Sequence, residues 1–257
     1  MTTTKLDSKA PFKADHVGSF LRPERLKQAR AQNANGEISA QQLRTIEDEE
    51  ISKLVEKQKE AGLTSITDGE FRRSWWHFDF LENLGGVEGF ESNTGLKFDG
   101  IETTAHAIRV TGNVDFNEDH PFLDHFKFLR GKVGEDHVAK QTIPSPNMLL
   151  VRAEIDNEVY GDIEDLLRDL TNAYKKAIQA FYDAGCRYLQ LDDTSWASFL
   201  SEEGEQSLRA EGYEPAELQK LCKRAINESI ADRPDDLLVT MHICRGNYRS
   251  LFQFWFV

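Results

Sequence analysis

The feature that most constrains this chain is the order of its apolar patterns, in which short β-favouring runs repeatedly follow amphipathic helical stretches and end in polar residues. Residues 41–61, QQLRTIEDEEISKLVEKQKEA, place Leu43, Ile46, Ile51, Leu54, Val55 and Gln58 at helical spacing, and Gly62 stops the pattern. LTSITDGE follows at once as a strand that ends in Asp-Gly-Glu. The succession returns in DIEDLLRDLTNAYKKAIQAFYDAG, bracketed by Asp162 and Gly185, followed by RYLQLDD. It returns once more in EPAELQKLCKRAINESIA followed by LLVTMHIC. ADHVGS and HVAKQTIPSP supply two further strands, which brings the count to about five where a closed parallel barrel needs eight. Alternation of this kind builds a parallel sheet or barrel with helices packed against it. Residues 85–133, rich in Gly, Asp, Asn and Phe, interrupt the rhythm, and the alternation in AHAIRVTGNVDF predicts a hairpin there.

Charge and apolar content narrow the function classes. The net charge of -13, from 44 acidic against 31 basic residues, repels nucleic-acid phosphates and anionic lipid, so a small-molecule partner is expected instead. No apolar run approaches the roughly 20 residues that cross a bilayer, and MTTTKLDSKAPFKAD lacks the apolar core of an export signal. A cytoplasmic location is expected. Cys186, Cys222 and Cys244 form no short-spaced even framework, which points to reduced thiols. The basic clusters at Arg72 and Arg73 and at residues 22–30 read as solvated or helix-capping charges.

Several residues could carry chemistry. Alternate side chains of a strand share a face, so His242 and Cys244 point the same way at the end of TMHIC, as two ligands of one zinc or as a packed imidazole and a buried thiol. In RYLQLDD, Tyr188, Gln190 and Asp192 face one way and Asp193 the other. Asp192 could hold an ammonium group, or both acids could merely open the next loop. The Gly18–Ser19 turn in HVGSF presents backbone N–H groups and a hydroxyl suited to a carboxylate, although such turns are common. Glu70 sits in DGEFRR, where Asp-Gly is also ordinary turn chemistry. His16 reads as structural, and Trp75, Trp76, His77 and Phe78 as an aromatic wall for a planar ligand or as core.

Taken in order, HVGSFLRP, LTSITDGEFRRSWWHFDF, TIPSP, YLQLDD and TMHICRGNYRS resemble the C-terminal catalytic barrel of cobalamin-independent methionine synthase. The likeness runs over residues 15–250 and is strongest to the shorter single-barrel bacterial members. It implies a TIM-type (β/α)8 barrel, here incomplete at its C-terminal end, as one domain over 1–257 with an excursion at about 85–133. It implies zinc-dependent transfer of a methyl group from 5-methyltetrahydrofolate, as its polyglutamate, to homocysteine to give methionine. By motif, His242 and Cys244 match the first two zinc ligands, and Gly18 with Ser19 matches the turn that grips the amino acid's carboxylate. Glu70 and Asp192 match the acids that hold homocysteine, Asp192 through its ammonium. Asp193 stands where the longer enzymes have glutamate, and Thr194 and Ser195 where they have Pro-Ala. The family's further glutamate and cysteine ligands and its histidine proton donor have no counterpart, and the ending SLFQFWFV reads as the tail of a shortened copy. The expected consequences are a zinc site with two protein ligands and an open strand edge that favours self-association. Two alternatives stand beside this: a related methyltransferase with another thiol acceptor or methyl donor, and a non-catalytic remnant.

Overall fold

The computed structural model describes residues 12, 14–92, 97–98, 101–102, 106–210 and 212–244. Its helices are α1 (Glu24–Ala34), α2 (Ala40–Glu60), α3 (Phe78–Leu81), α4 (Pro121–Val133), α5 (Asn147–Arg152), α6 (Ile163–Asp183), α7 (Glu202–Ala210) and α8 (Pro215–Ile230), with a 3-10 turn at Ser195–Phe199. Its strands are β1 (Ser65–Ile66), β2 (Gly85–Glu91), β3 (Lys97–Phe98), β4 (Ile101–Glu102), β5 (His106–Asp115), β6 (Val138–Pro144), β7 (Ala153–Ile155), β8 (Tyr188–Asp193) and β9 (Leu238–Ile243). The segments RGNYRS and SLFQFWFV, and the first eleven residues, lie outside the described residues.

Strands β1, β6, β8 and β9 lie side by side in that order, all parallel. Each follows a helix, respectively α2, α4, α6 and α8, because parallel neighbours need a crossover. The result is an α/β arc of barrel wall that is not closed among the described residues. Between β1 and β6 the chain makes an antiparallel pair, β2 with β5, to which β7 adds in parallel. The alternating run read from sequence as a hairpin supplies one arm of this pair.

Local chemistry explains the elements that matter for the site. α6 opens where Asp162 accepts from the Glu164 N–H and stops at Gly185, whose φ of +97° is left-handed. Leu166, Leu170, Ala173, Tyr174, Ala177 and Phe181 recur at 3–4 spacing and bury one face, each large side chain worth roughly 1.5–3 kcal/mol. α2 is opened by a reciprocal cap between Ser39 and Gln42. Its inner face is less apolar than its pattern suggests: Leu43 and Ile46 are half-buried, while Glu47, Glu50 and Gln58 are buried with Ile51, Leu54 and Val55. β8, the strand between β6 and β9, is buried throughout, with Leu189 and Leu191 in the apolar core.

Residues 15–20 join no sheet ladder and bend at Gly18, although their apolar pattern resembles a strand. Four of the five expected strands therefore form the arc, and the fifth segment is held mainly by side chains, with one backbone bond from the Phe20 N–H to the Gly69 carbonyl. Among the described residues no helix is long and apolar enough to cross a membrane.

Candidate active site

Parallel strands converge their C-terminal ends, and here β1, β6, β8 and β9 bring polar groups together. The turn after β1 is held in an uncommon shape. Gly69 and Glu70 both have left-handed backbones, with φ of 69° and 57°. For Glu70 this costs on the order of 1 kcal/mol and must be held by its surroundings. Asp68 Oδ1 accepts from the Glu70 N–H at 2.9 Å, and Arg22 Nη2 donates to the Glu70 and Arg73 carbonyls at 3.0 and 2.7 Å. The turn thereby aims the Glu70 carboxylate inward.

That carboxylate is 3.3 Å from Arg73 Nη1 and accepts from Thr142 Oγ1 at 2.9 Å. Arg73 also donates to the Thr142 carbonyl at 2.6 Å and stacks over Phe122 with its charged carbon 4.4 Å from the ring centre. Gly18 lies against this group: a methyl on Gly18 would come within 2.7 Å of Thr142 Cγ2 and 3.1 Å of Glu70 Oε1. Only a residue without a side chain fits there unless its neighbours move. Ser19 beside it is exposed.

Asp192 faces the same interior from β8. It is 5% exposed and accepts from Gln190 Nε2 at 2.6 Å. Burial first, then the charge of Glu70, pushes its carboxyl up to about 7, against the hydrogen bond from Gln190 and the charges of Arg73 and Lys140. With two acids brought close in a buried interior and one of them already paired with Arg73, the second is held toward its neutral form unless a further cation joins them.

Asp193 points the other way, and its surroundings give it a different task. It accepts from Ser145 Oγ at 2.5 Å, Asn147 Nδ2 at 2.9 Å, and Ser195 N and Oγ at 2.7 and 2.5 Å. This carboxylate clasps the end of β6 and the start of α5 to the 3-10 turn. Of the two acids in RYLQLDD, one opens the next loop and the other lines the interior.

On β9, His242 is directly across the ladder from Asp192, and Cys244 continues the ladder through its N–H to the Asp193 carbonyl at 2.8 Å. Both are half-buried. Burial and the nearby Lys140 charge lower the His242 pKa, keeping the neutral imidazole that binds metals. Donor types and strand placement fit zinc, but among the described residues no group of three or more His, Cys, Asp or Glu is disposed to hold a metal. Two donors fall short of a tetrahedral set.

The remaining expectations resolve by packing. His16 bonds Gln58 through Nε2 at 2.7 Å and meets the Phe20 ring edge-on, so it is structural. Trp75 and Trp76 are half-buried while His77 and Phe78 are buried, and Trp76 stacks on His77 at 4.4 Å. The aromatic run is mostly core. Arg72 and Arg73 are not solvated: their side chains are 3% and 4% exposed, because Glu47 and Glu70 offer buried counter-charges and Asp48 a partly exposed one. Sequence reasoning missed Arg73, Thr142, Asp15 and Lys140 as members of the interior; the available signal was a lysine within the buried run VAKQTIP.

A family model described as "Cobalamin-independent synthase, Catalytic domain" matches residues 12–253. The chain belongs to this family. The Bacillus subtilis protein YxjG, itself uncharacterized, is 57% identical over 243 residues, which is 94% of this chain and 64% of that protein. A Listeria monocytogenes structure, provisionally described as a vitamin-B12-independent methionine synthase, is 53% identical with a TM-score of 0.79, over 92% of this chain and 66% of that one. A B12-independent methionine synthase from Shewanella sp. W3-18-1, solved in complex with selenomethionine, shares the fold at 19% identity and a TM-score of 0.57, over 82% of this chain and 55% of that one. The chain spans less than two thirds of the length of YxjG. Membership of the cobalamin-independent synthase family makes the parallel arc a portion of a TIM-type barrel wall.

Proposed function

We propose that this chain carries the amino-acid half of a methionine-synthase-type methyltransferase, which moves a methyl group from 5-methyltetrahydrofolate polyglutamate to the sulfur of homocysteine. One observation supports this above the others: Gly18 packs on the Glu70 carboxylate in an interior that Asp192 also lines. In this reading the Gly18–Ser19 turn takes the ligand's carboxylate, and Asp192, with Glu70 beside it, takes the ammonium. Arg73 and Thr142 hold Glu70 in place so that it does not fold back on the incoming group. The Shewanella relative's selenomethionine is the same ligand class, an α-amino acid with a chalcogen side chain.

His242 and Cys244 would supply two donors to zinc, the remaining ones coming from outside the described residues. Bound zinc supplies stabilisation of a thiolate over its thiol. The setting we propose is cytoplasmic, with Cys186, Cys222 and Cys244 reduced and outside any disulfide. β9, which has β8 as its ladder neighbour among the described residues, is the edge through which we propose self-association.

Calorimetry with methionine and homocysteine, and zinc content per chain, test the proposal. Millimolar or tighter amino-acid binding that is lost in Asp192→Asn is expected, with zinc lost in both His242→Ala and Cys244→Ala. No amino-acid binding by folded protein would sink the proposal. The shortage of metal donors among the described residues favours one second reading, binding without turnover. Amino-acid affinity without zinc and without methyl transfer would establish it.

A further inference from the structure

The proposed site depends on where residues 15–20 lie, and no ladder places them. Side chains from three strands do so instead. Asp15 accepts from Ser65 Oγ and Tyr188 OH, each at 2.5 Å, and from Lys140 Nζ at 3.1 Å. The same Nζ donates to the His16 carbonyl at 2.5 Å and lies 5.0 Å from the centre of the Tyr188 ring. Ser65, Lys140 and Tyr188 stand on β1, β6 and β8, with Lys140 directly across from Tyr188. One step further along, Gln190 Nε2 donates to the Val17 carbonyl and Thr67 Oγ1 to the Gly18 carbonyl, both at 2.7 Å.

The Lys140 side chain is fully buried, with 0% exposure. A buried lysine–aspartate pair gains little net stability over apolar side chains of the same volume, so stability alone is a weak reason to have one here. What the pair provides is direction. An apolar contact tolerates a slide along the chain, whereas an ammonium that must meet both the Asp15 carboxylate and the His16 carbonyl accepts one register. A slip of one residue would replace Gly18 by Val17 or Ser19 over Glu70, where a methyl group already collides with Thr142.

We propose that Lys140 and Asp15 are positioning residues whose ion pair, buried on the lysine side, sets the register of residues 15–20, placing Gly18 on Glu70 and turning the Gly18–Ser19 backbone toward the amino-acid ligand. The ligand part rests on the function proposed above; the register part stands without it.

Hydrogen exchange on the full chain without ligand, paired with methionine calorimetry, separates the two. The reporters are the amides of His16 and Phe20, bonded to Asp15 Oδ1 at 2.9 Å and the Gly69 carbonyl at 3.1 Å. In Lys140→Met both amides, and in Lys140→Met with Asp15→Leu the Phe20 amide, whose acceptor both changes leave in place, should exchange at least tenfold faster, and methionine should bind at least tenfold more weakly in each. The double variant leaves no orphaned charge and should melt close to the wild-type temperature. A double variant that melts normally yet keeps slow exchange at the Phe20 amide overturns the proposal, because the pair would then be replaceable packing. Should the lysine variants not fold, Tyr188→Phe removes one bond to Asp15 and keeps the ring; a several-fold rise in exchange at His16 supports the proposal and an unchanged rate overturns it. A wild-type chain that binds no methionine fails the functional proposal, while exchange still decides the register.

Discussion

Gly18 is where sequence and site meet most tightly, since its backbone is ordinary and the constraint is purely the space beside it. Gly18→Ala puts a methyl 2.7 Å from Thr142 Cγ2, so the neighbour or the segment must give way, at a cost of about 1–3 kcal/mol. The expected outcome is at least a tenfold loss of methionine affinity with a lower melting temperature. Thr142→Ser deletes Cγ2 and keeps the hydroxyl that donates to Glu70, so the pair Gly18→Ala with Thr142→Ser should recover most of both; calorimetry and thermal melts check this. Asp192, Asp193, His242 and Cys244 were legible in the sequence because strand alternation alone decides which face each occupies. Arg73 and Lys140 were not. For Lys140 the carboxylate comes from a distant segment, Asp15, while for Arg73 it is the nearby Glu70, brought round by a left-handed turn that no apolar pattern announces.

At the scale of elements, α2 shows how a helix can be predicted correctly for an incomplete reason. Its expected span, 41–61, and its observed span, Ala40–Glu60, nearly coincide because the 3.6-residue period and Gly62 are strong local signals. Its docking, however, uses ions that a hydrophobic pattern cannot show. Glu47 is buried, which raises its pKa despite Arg72 and Arg30, and Arg72 bonds it at 3.1 Å. Arg72→Met should leave that acid with Arg30, at 3.5 Å, as its remaining ion-pair partner among the described residues and destabilise the fold by up to roughly 3 kcal/mol, whereas Arg72→Met with Glu47→Met should restore most of the loss. Urea melts of the two variants decide it, and equal losses in both would show that the ion pair is irrelevant. Residues 15–20 failed as a strand for the converse reason. Ladder formation depends on which neighbour arrives alongside, and the apolar alternation carries no information about that.

The whole molecule should be sensitive to acid through two buried imidazoles. Burial depresses His77 to about 3 and His120 to about 4, against roughly 6.5 in an unfolded chain. Above that value both are neutral in either state. As pH falls below it the unfolded chain takes up protons that the folded chain refuses, so stability is lost from about pH 6.5 down toward 4 and 3, by about 2 kcal/mol each at pH 5. His120 has both ring nitrogens engaged, one with the Phe80 carbonyl and one accepting from the Phe122 N–H, so protonation also breaks the cap of α4. Among the described residues His77 Nδ1 has no hydrogen-bond partner, and His77→Phe should flatten the melting-temperature profile between pH 7 and 5. An unchanged slope would exclude His77 as a cause. The antiparallel excursion between β1 and β6 has a consequence in time. α4 through β9 is a run of successive helix and strand neighbours that can pair with little loop to close, while β1 and residues 15–20 must return across the whole β2–β5 insertion to find β6. The Glu70 turn rides on the piece whose pairing spans the longest stretch of chain, so the pocket is expected to assemble late and to open early on gentle unfolding; hydrogen exchange at the Phe20 and Glu70 amides that is slower than in β8 would exclude this order.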